Sequence, residues 1–105
     1  MSDCVIRRME ARDIDRVAAI ENATFPRPWS RDSFEKELTN PAARYLVAEL
    51  EGQVIGFAGA WLVLDESQMT NIAIDEAYRG RGCGRLLMTA LLQYISNLGA
   101  AYVTL

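Results

Sequence analysis

Arginine and glycine are interleaved in one short stretch, Tyr78-Arg79-Gly80-Arg81-Gly82-Cys83-Gly84-Arg85, with three of each among eight residues. Glycine lets backbone N–H groups come close to a ligand, and arginine offers a forked, permanently positive donor set, so the combination points to an anion and to phosphate in particular. The stretch lies between an apolar run ending at Ile74 and a segment of helical periodicity beginning near Gly82. A helix start adds unpaired amides and about half a positive charge from the helix dipole. Other chemistries are restricted. The chain has no histidine, which excludes Ser-His and Cys-His pairs and leaves carboxylates, tyrosine, lysine or the backbone for proton transfer. Cys4 and Cys83 are far apart in sequence and form no C-x-x-C pair, so neither a zinc site nor a disulfide is expected. Both thiols are expected to be reduced, Cys4 as packing and Cys83 as a small spacer, and no metal is expected.

The elements that must position this loop follow from periodicity. Cys4 to Met9 has strand character. Ile14, Val17, Ala18 and Glu21 recur at helical spacing, so Asp13 to about Ala23 reads as an amphipathic helix, with Glu21 read as a solvated or capping charge. Phe25-Pro26-Arg27-Pro28-Trp29 ends it, because the prolines remove donors and push their predecessors to extended backbone. Ser30 is a candidate N-cap for a second helix over Arg31–Leu38, closed by Asn40-Pro41. Tyr45–Leu50, Val54–Val63 and Gln68–Ile74 read as three antiparallel strands with turns at Glu51-Gly52-Gln53 and Asp65-Glu66-Ser67. A loop over Asp75–Arg81, a helix from Gly82 to Asn97, a stop at Gly99 and a strand over Ala101–Leu105 complete a βαβ unit. Leu87, Leu91, Tyr94, Ile95 and Leu98 give that helix one apolar stripe, Tyr94 included in the core, and the right-handed crossover rule sets the last strand parallel to Met69–Ile74.

Composition bounds the function. The 105 residues suit a single domain over 1–105, and 11 basic against 14 acidic residues leave a net charge of −3, unlike a general nucleic-acid binder. No stretch reaches the roughly 20 apolar residues of a membrane span, and the start at Met1-Ser2-Asp3-Cys4 shows no export pattern, so a cytoplasmic protein without a membrane partner is expected.

The glycine-rich loop can be compared with known phosphate loops. It lacks the Lys and Ser/Thr of a P-loop, and neither register of G-x-G-x-x-G supplies the third glycine or a following acid. What remains, R-x-x-G-x-G as Arg79-Gly80-Arg81-Gly82-Cys83-Gly84, resembles the pyrophosphate signature of the GNAT superfamily of N-acetyltransferases. Phe25-Pro26-Arg27-Pro28-Trp29-Ser30, Phe34, Glu37-Leu38, Val63-Leu64-Asp65-Glu66 and Asn71-Ile72-Ala73-Ile74-Asp75 are similar in content and order to its ribosomal-protein-alanine N-acetyltransferase (RimI-like) branch. The resemblance runs from Val5 to Leu105.

It implies an α+β (α/β) acyl-CoA N-acyltransferase fold, a mixed sheet whose antiparallel meander is followed by a βαβ unit, incomplete after the strand at 101–105. It implies acetyl-CoA as cosubstrate in a cleft between Met69–Ile74 and Ala101–Leu105. Backbone groups of Ile72, Ala73 and Ile74 would hold the pantetheine arm and thioester, and Arg79, Gly80, Arg81, Gly82, Cys83, Gly84 and Arg85 the pyrophosphate. Phe25 and Trp29 either contact an acceptor protein N-terminus or are buried. The family's glutamate base and tyrosine acid lie beyond the position of Leu105, so no catalytic residue is expected within the chain, which alone should be weakly active or inactive. An open strand edge would favour a homodimer. The implied function is acetylation of a protein N-terminal α-amine, that of a ribosomal protein beginning with alanine, with two alternatives: a non-catalytic acyl-CoA-binding or interaction module, or an acetyltransferase for a small amine.

Overall fold

Alternating burial along the strands explains the architecture of the computed structural model, which describes residues 4–104. The Met1-Ser2-Asp3 start and Leu105 lie outside the described residues. Five strands form one sheet in the order β1 (Val5–Arg8), β2 (Ala43–Leu50), β3 (Gln53–Val63), β4 (Glu66–Ile74) and β5 (Tyr102–Thr104). The first four pair antiparallel, each with its sequence neighbour, and β5 runs parallel to β4. Three helices cover the sheet: α1 (Ile14–Thr24), α2 (Arg31–Thr39) and α3 (Cys83–Asn97). The expected mixed sheet, meander and βαβ unit are therefore present.

The central strand β3 is buried continuously from Val54 to Ala60 because both of its faces are covered. Ile14, Val17, Ile20, Phe34, Tyr45, Val47 and Phe57 form the core on the α1/α2 face. Leu46, Ala48, Ile55, Ala58, Leu87, Leu91 and Ile95 form the core under α3. A bulge at Ile55 shifts the pairing from Ala48↔Gly56 to Glu49↔Val54, so Val54 joins Phe57 on the α1/α2 side while Ile55 faces α3.

Several boundaries differ from the expectations. A 3-10 turn over Ala11–Asp13 precedes α1, and β4 begins at Glu66, so the second hairpin turn is Leu64-Asp65. Tyr94 is only half-buried, with the Arg8 guanidinium 6.0 Å from its ring centroid, and Leu98 is exposed. β5 pairs with Glu66, Ser67 and Gln68, the first residues of β4, and not with Met69–Ile74. Hydrophobic runs identify a strand, but register needs the tertiary context.

The larger correction concerns the cysteines. Cys4, just before β1, and Cys83, the first residue of α3, form a disulfide, with Cα atoms 6.2 Å apart across a sequence separation of 79. Both side chains pack with the cluster under α3, so the fold brings together two residues whose sequence positions gave no hint of proximity.

A second tie holds the start of the chain. Arg7 donates Nη1 and Nη2 to the two Asp13 carboxylate oxygens at 2.8 Å and Nε and Nη2 to Glu49 at 3.0 and 2.8 Å. Asp13 also accepts from the Glu10 amide at 2.8 Å. Burial alone would push the Asp13 carboxyl up, but the Arg7 and Glu10 hydrogen bonds and the charges of Arg7 and Arg12 outweigh it and hold Asp13 below the usual carboxylate range.

Because the folded-state value is depressed, Asp13 contributes stability above its unfolded pKa of about 4 and loses it as pH falls through the lower folded value. Asp13→Asn is accordingly expected to destabilise by about 2 kcal/mol at neutral pH and to flatten the acid limb of a stability-versus-pH curve. Urea titrations from pH 7 to 3 measure both. Leu64 makes the opposite case: it is 92% exposed at a left-handed φ of 57°, a conformation that costs a side chain about 1 kcal/mol. Leu64→Gly should raise the unfolding midpoint, read by the same titration.

Candidate functional site

Two neighbouring features lie along the second half of β4: a glycine-rich loop at its end and a groove at its middle. At the loop, Asp75 accepts from the Ala77 amide at 2.9 Å and starts a 3-10 turn over Glu76–Tyr78. The Ala77 amide and the paired Arg16 guanidinium hold the Asp75 carboxyl below its usual range. Arg16 also donates to the Val54 carbonyl at 2.8 Å, which ties α1 to the strand beneath the loop.

Gly80 and Gly82 then take left-handed φ values of 81° and 82°, which bring the chain into α3. α3 has no side-chain cap at Gly82, so the amides of its first turn are left facing outward. A Cβ at Gly80 or Gly82 would meet nothing within 4 Å, and one at Gly84 would touch only Ile74, at 3.5 Å. The outer face of the turn is thus open and carries Arg79, Arg81 and Arg85, all exposed. Their surroundings differ. Arg79 Nε donates to the Ile74 carbonyl at 3.0 Å and folds the loop back on β4, whereas the Arg81 guanidinium sits 5.3 Å from the Tyr78 ring centroid. Cys83, at the helix start, is buried and bound to Cys4.

The strand leading into the loop has one free edge. β4 pairs with β3 as far as Ile74, but β5 covers only Glu66–Gln68 on the other side, so Met69–Ile74 has no strand partner there among the described residues. Since the Asp75 amide bonds Ile55 of β3 and the Ile74 carbonyl faces outward to Arg79, strand alternation turns the backbone of Ala73 toward β3 and that of Ile72 outward. Of the three residues singled out for backbone contacts, Ala73 therefore has its polar groups engaged within the sheet. Ile72 presents its groups at the open edge.

The groove, of about 510 Å³, runs between the α1–α2 connection (Phe25, Pro26, Trp29) and β4 (Thr70, Asn71, Ile72). Phe25 and Trp29 are half-buried, packing partly on the core while also lining the groove. A bulge supplies its polar wall: β3–β4 pairing passes from Ala60↔Met69 to Gly59↔Asn71, leaving Thr70 as an extra residue. Both Thr70 and Asn71 then reach the Tyr45 hydroxyl, at 2.9 and 3.1 Å, and Thr70 donates to Asn71 Oδ1 at 2.9 Å. Asn71 Nδ2 donates at 3.0 Å to Glu21 Oε1, and the Trp29 amide donates at 2.9 Å to Glu21 Oε2. Burial pushes the Tyr45 phenol well above its usual range, so it stays protonated in this network.

Glu21 is 2% exposed, not the solvated or capping charge expected. A signal was available: an acid stood seven residues after Ile14 on the apolar stripe of α1. Asn71 and Tyr45 gave none, because the bulge that gathers them is a tertiary feature. Gly59 completes the arrangement, since any Cβ there would overlap the Tyr45 ring. Among the described residues no group of three His, Cys, Asp or Glu side chains is placed to hold a metal.

Residues 14–105 match the model of the acetyltransferase (GNAT) family. A Bacillus subtilis (strain 168) protein, provisionally named a ribosomal protein bS18-alanine N-acetyltransferase, is 42% identical over 101 residues, covering 95% of this chain and 67% of its own length. The Haemophilus influenzae protein named [ribosomal protein bS18]-alanine N-acetyltransferase is 37% identical over 97 residues, 90% of this chain and 64% of that protein. The crystal structure of the ribosomal-protein-S18-alanine N-acetyltransferase from Escherichia coli superposes with a TM-score of 0.86 at 28% identity, covering 95% of this chain and 64% of that one. A GNAT family N-acetyltransferase (YhbS) from Escherichia coli, crystallised in complex with CoA, superposes with a TM-score of 0.80 at 27% identity, covering 95% of this chain and 60% of that one. The chain spans about two thirds of the length of these relatives.

The two kinds of glycine should respond differently to substitution. Gly59→Val forces a methyl-bearing carbon into the Tyr45 ring and is expected to cost more than about 2 kcal/mol, with loss of near-ultraviolet aromatic dichroism. Gly80→Ala meets no neighbour and should cost only the roughly 1–2 kcal/mol of its left-handed backbone, leaving that spectrum intact. Equal effects would contradict the packing described.

Proposed function

The chain belongs to the acetyltransferase (GNAT) family, and from that premise we propose that it is the acetyl-CoA-binding part of an N-acetyltransferase that acts on the N-terminal α-amine of a protein, a ribosomal protein beginning with alanine. The observation that carries this reading is the uncapped, glycine-lined start of α3, reached by a short loop from the end of β4, whose Met69–Ile74 edge has no strand partner among the described residues and whose Thr70, Asn71 and Ile72 line an open groove.

The residues present fit the cosubstrate. Outward amides over Gly80–Arg85 suit a pyrophosphate, and Arg81 and Arg85 bring positive charge to it without an ion pair to another residue among the described ones. Arg79 acts mainly by holding the loop to the Ile74 carbonyl. In this reading the outward N–H of Ile72 donates to a carbonyl oxygen lying along the β4 edge, where a fixed donor favours developing negative charge; loss of one such donor in other enzymes costs about 3–4 kcal/mol of barrier. When bound, acetyl-CoA supplies an activated acetyl group that a neutral amine can take by direct attack. Phe25, Pro26 and Trp29 shape the space from which that amine approaches, and the name borne by the Haemophilus influenzae relative supports a protein N-terminus in it. No described residue is assigned to deprotonate the amine or to protonate the departing thiolate.

Thermal unfolding in the presence of acetyl-CoA tests the cofactor half. A ligand at about 100 times its Kd stabilises the folded state by about 2.7 kcal/mol. The midpoint of this chain should rise with acetyl-CoA, and Arg85→Glu should weaken the response at least about tenfold in concentration. No response in a cooperatively folding chain overturns the reading. For the acceptor, this chain joined to the remainder of a family domain is expected to acetylate an alanine-starting peptide in preference to polyamines, followed by mass spectrometry; the reverse preference would make it a small-amine enzyme.

A further inference from the structure

Glu21 is a carboxylate buried at 2% exposure, and no lysine or arginine among the described residues lies within ion-pair distance of it. Leaving a charge in such a place without a cation is costly, and two hydrogen bonds from neutral donors offset that cost only in part. A carboxylate has about four acceptor directions, of which the Trp29 amide and Asn71 Nδ2 use two. The side chain also lines the open groove, so the unused directions are within reach of something that enters it.

The neighbouring hydrogen bonds are oriented toward this charge. Tyr45 and Thr70 hydroxyls donate to Asn71 Oδ1, and the Asn71 amide donates to Glu21. Each bond polarises the next in the same sense, and the Tyr45 ring that begins the relay is locked on Gly59. The network fixes a negative charge in position while supplying no positive one.

We propose that Glu21 is the recognition residue for the acceptor's α-ammonium group: the incoming positive charge becomes the ion partner that the folded chain lacks. This rests on the reading of the groove as an acceptor site and adds to it a residue and a charge rule. The bound amine would lie beside Asn71, one residue along β4 from the outward backbone of Ile72. The role is binding and orientation. Loss of the ammonium proton is not assigned to Glu21. Arg27, exposed at the groove, makes no ion pair with Glu21 and leaves the carboxylate available.

The test compares two peptides on the chain saturated with CoA: one beginning with alanine, and its lactyl counterpart, in which a hydroxyl replaces the amine. Calorimetric titration should give at least about tenfold tighter binding of the alanyl peptide. In Glu21→Gln its affinity should fall to that of the lactyl peptide, with the lactyl affinity and the thermal response to acetyl-CoA unchanged. Equal affinities in the unaltered chain, binding of neither peptide, or an alanyl preference that survives in Glu21→Gln would each overturn the proposal. If the Gln variant does not fold, the unaltered chain still decides: the 13C resonance of the Glu21 carboxyl should move with the alanyl peptide and stay in place with the lactyl one, and a resonance that moves with neither refutes it. An absent acetyl-CoA response signals failure of the functional reading itself, whereas an intact response without amine discrimination removes only the role of Glu21.

Discussion

The rest of the site depends on how the backbone of one strand divides its hydrogen bonds. β4 pairs with β3 over nearly its whole length, yet among the described residues it shares only Glu66–Gln68 with β5. An unpaired strand edge inside a sheet is normally a liability, because its amides and carbonyls invite another strand. Here the Arg79 side chain occupies the Ile74 carbonyl, and the chain turns at Gly80 and Gly82 into α3 and does not add a strand at once. What stays open is a short row of backbone groups between an anion-suited helix start and a groove with a buried acid.

That opening requires the surrounding parts to be rigid. The start of α3 is fixed from below by the Cys4–Cys83 disulfide and by the burial of Leu87, Leu91 and Ile95. The N-terminal segment that carries Cys4 is in turn held by β1 pairing and by Arg7 bridging Asp13 and Glu49. On the other face, Phe34 packs edge-on against Tyr45 and Phe57 and at 5.6 Å from Trp29, so the groove wall and the Tyr45 relay share one aromatic support. Displacing the Tyr45 ring would therefore disturb the core and the groove together.

Much of this was legible in the residues. Residue pattern located the three helices and five strands of the described residues, the Ser30 cap was identified, and its hydroxyl accepts from the Ser33 amide at 3.1 Å. The interleaved glycines and arginines marked the loop because glycine conformations and positive charge are properties of residue type. Register was not legible: nothing in Tyr102–Thr104 distinguishes Glu66–Gln68 from the next residues of β4. The disulfide was hidden for a related reason, since pairing depends on which sheet face each cysteine reaches. Glu21 was misread through an assumption about type, although its place on the apolar stripe of α1 argued against solvation. Hydrophobic pattern encodes faces and directions, while bulges and long-range polar pairs arise only when the elements are assembled.

The resulting charge distribution runs along β4. The chain is net acidic by three charges, yet three arginines gather at one end of the strand's open half and a buried carboxylate stands at the other. Bulk charge says little about either end, because screening over roughly 8–10 Å makes each local field largely independent of the exposed acids elsewhere. The exposed arginines act in a high dielectric and need the convergent amides of α3 to hold an anion. Glu21 sits in a low dielectric, where one charge is felt strongly but costs more to maintain. The Thr70 bulge links these environments: by turning two consecutive side chains into the groove, it lets β4 serve the acid through side chains and keep the outward backbone of Ile72 free. Without that extra residue, strict alternation would send Thr70 or Asn71 to the α3 face and break the relay that anchors the carboxylate.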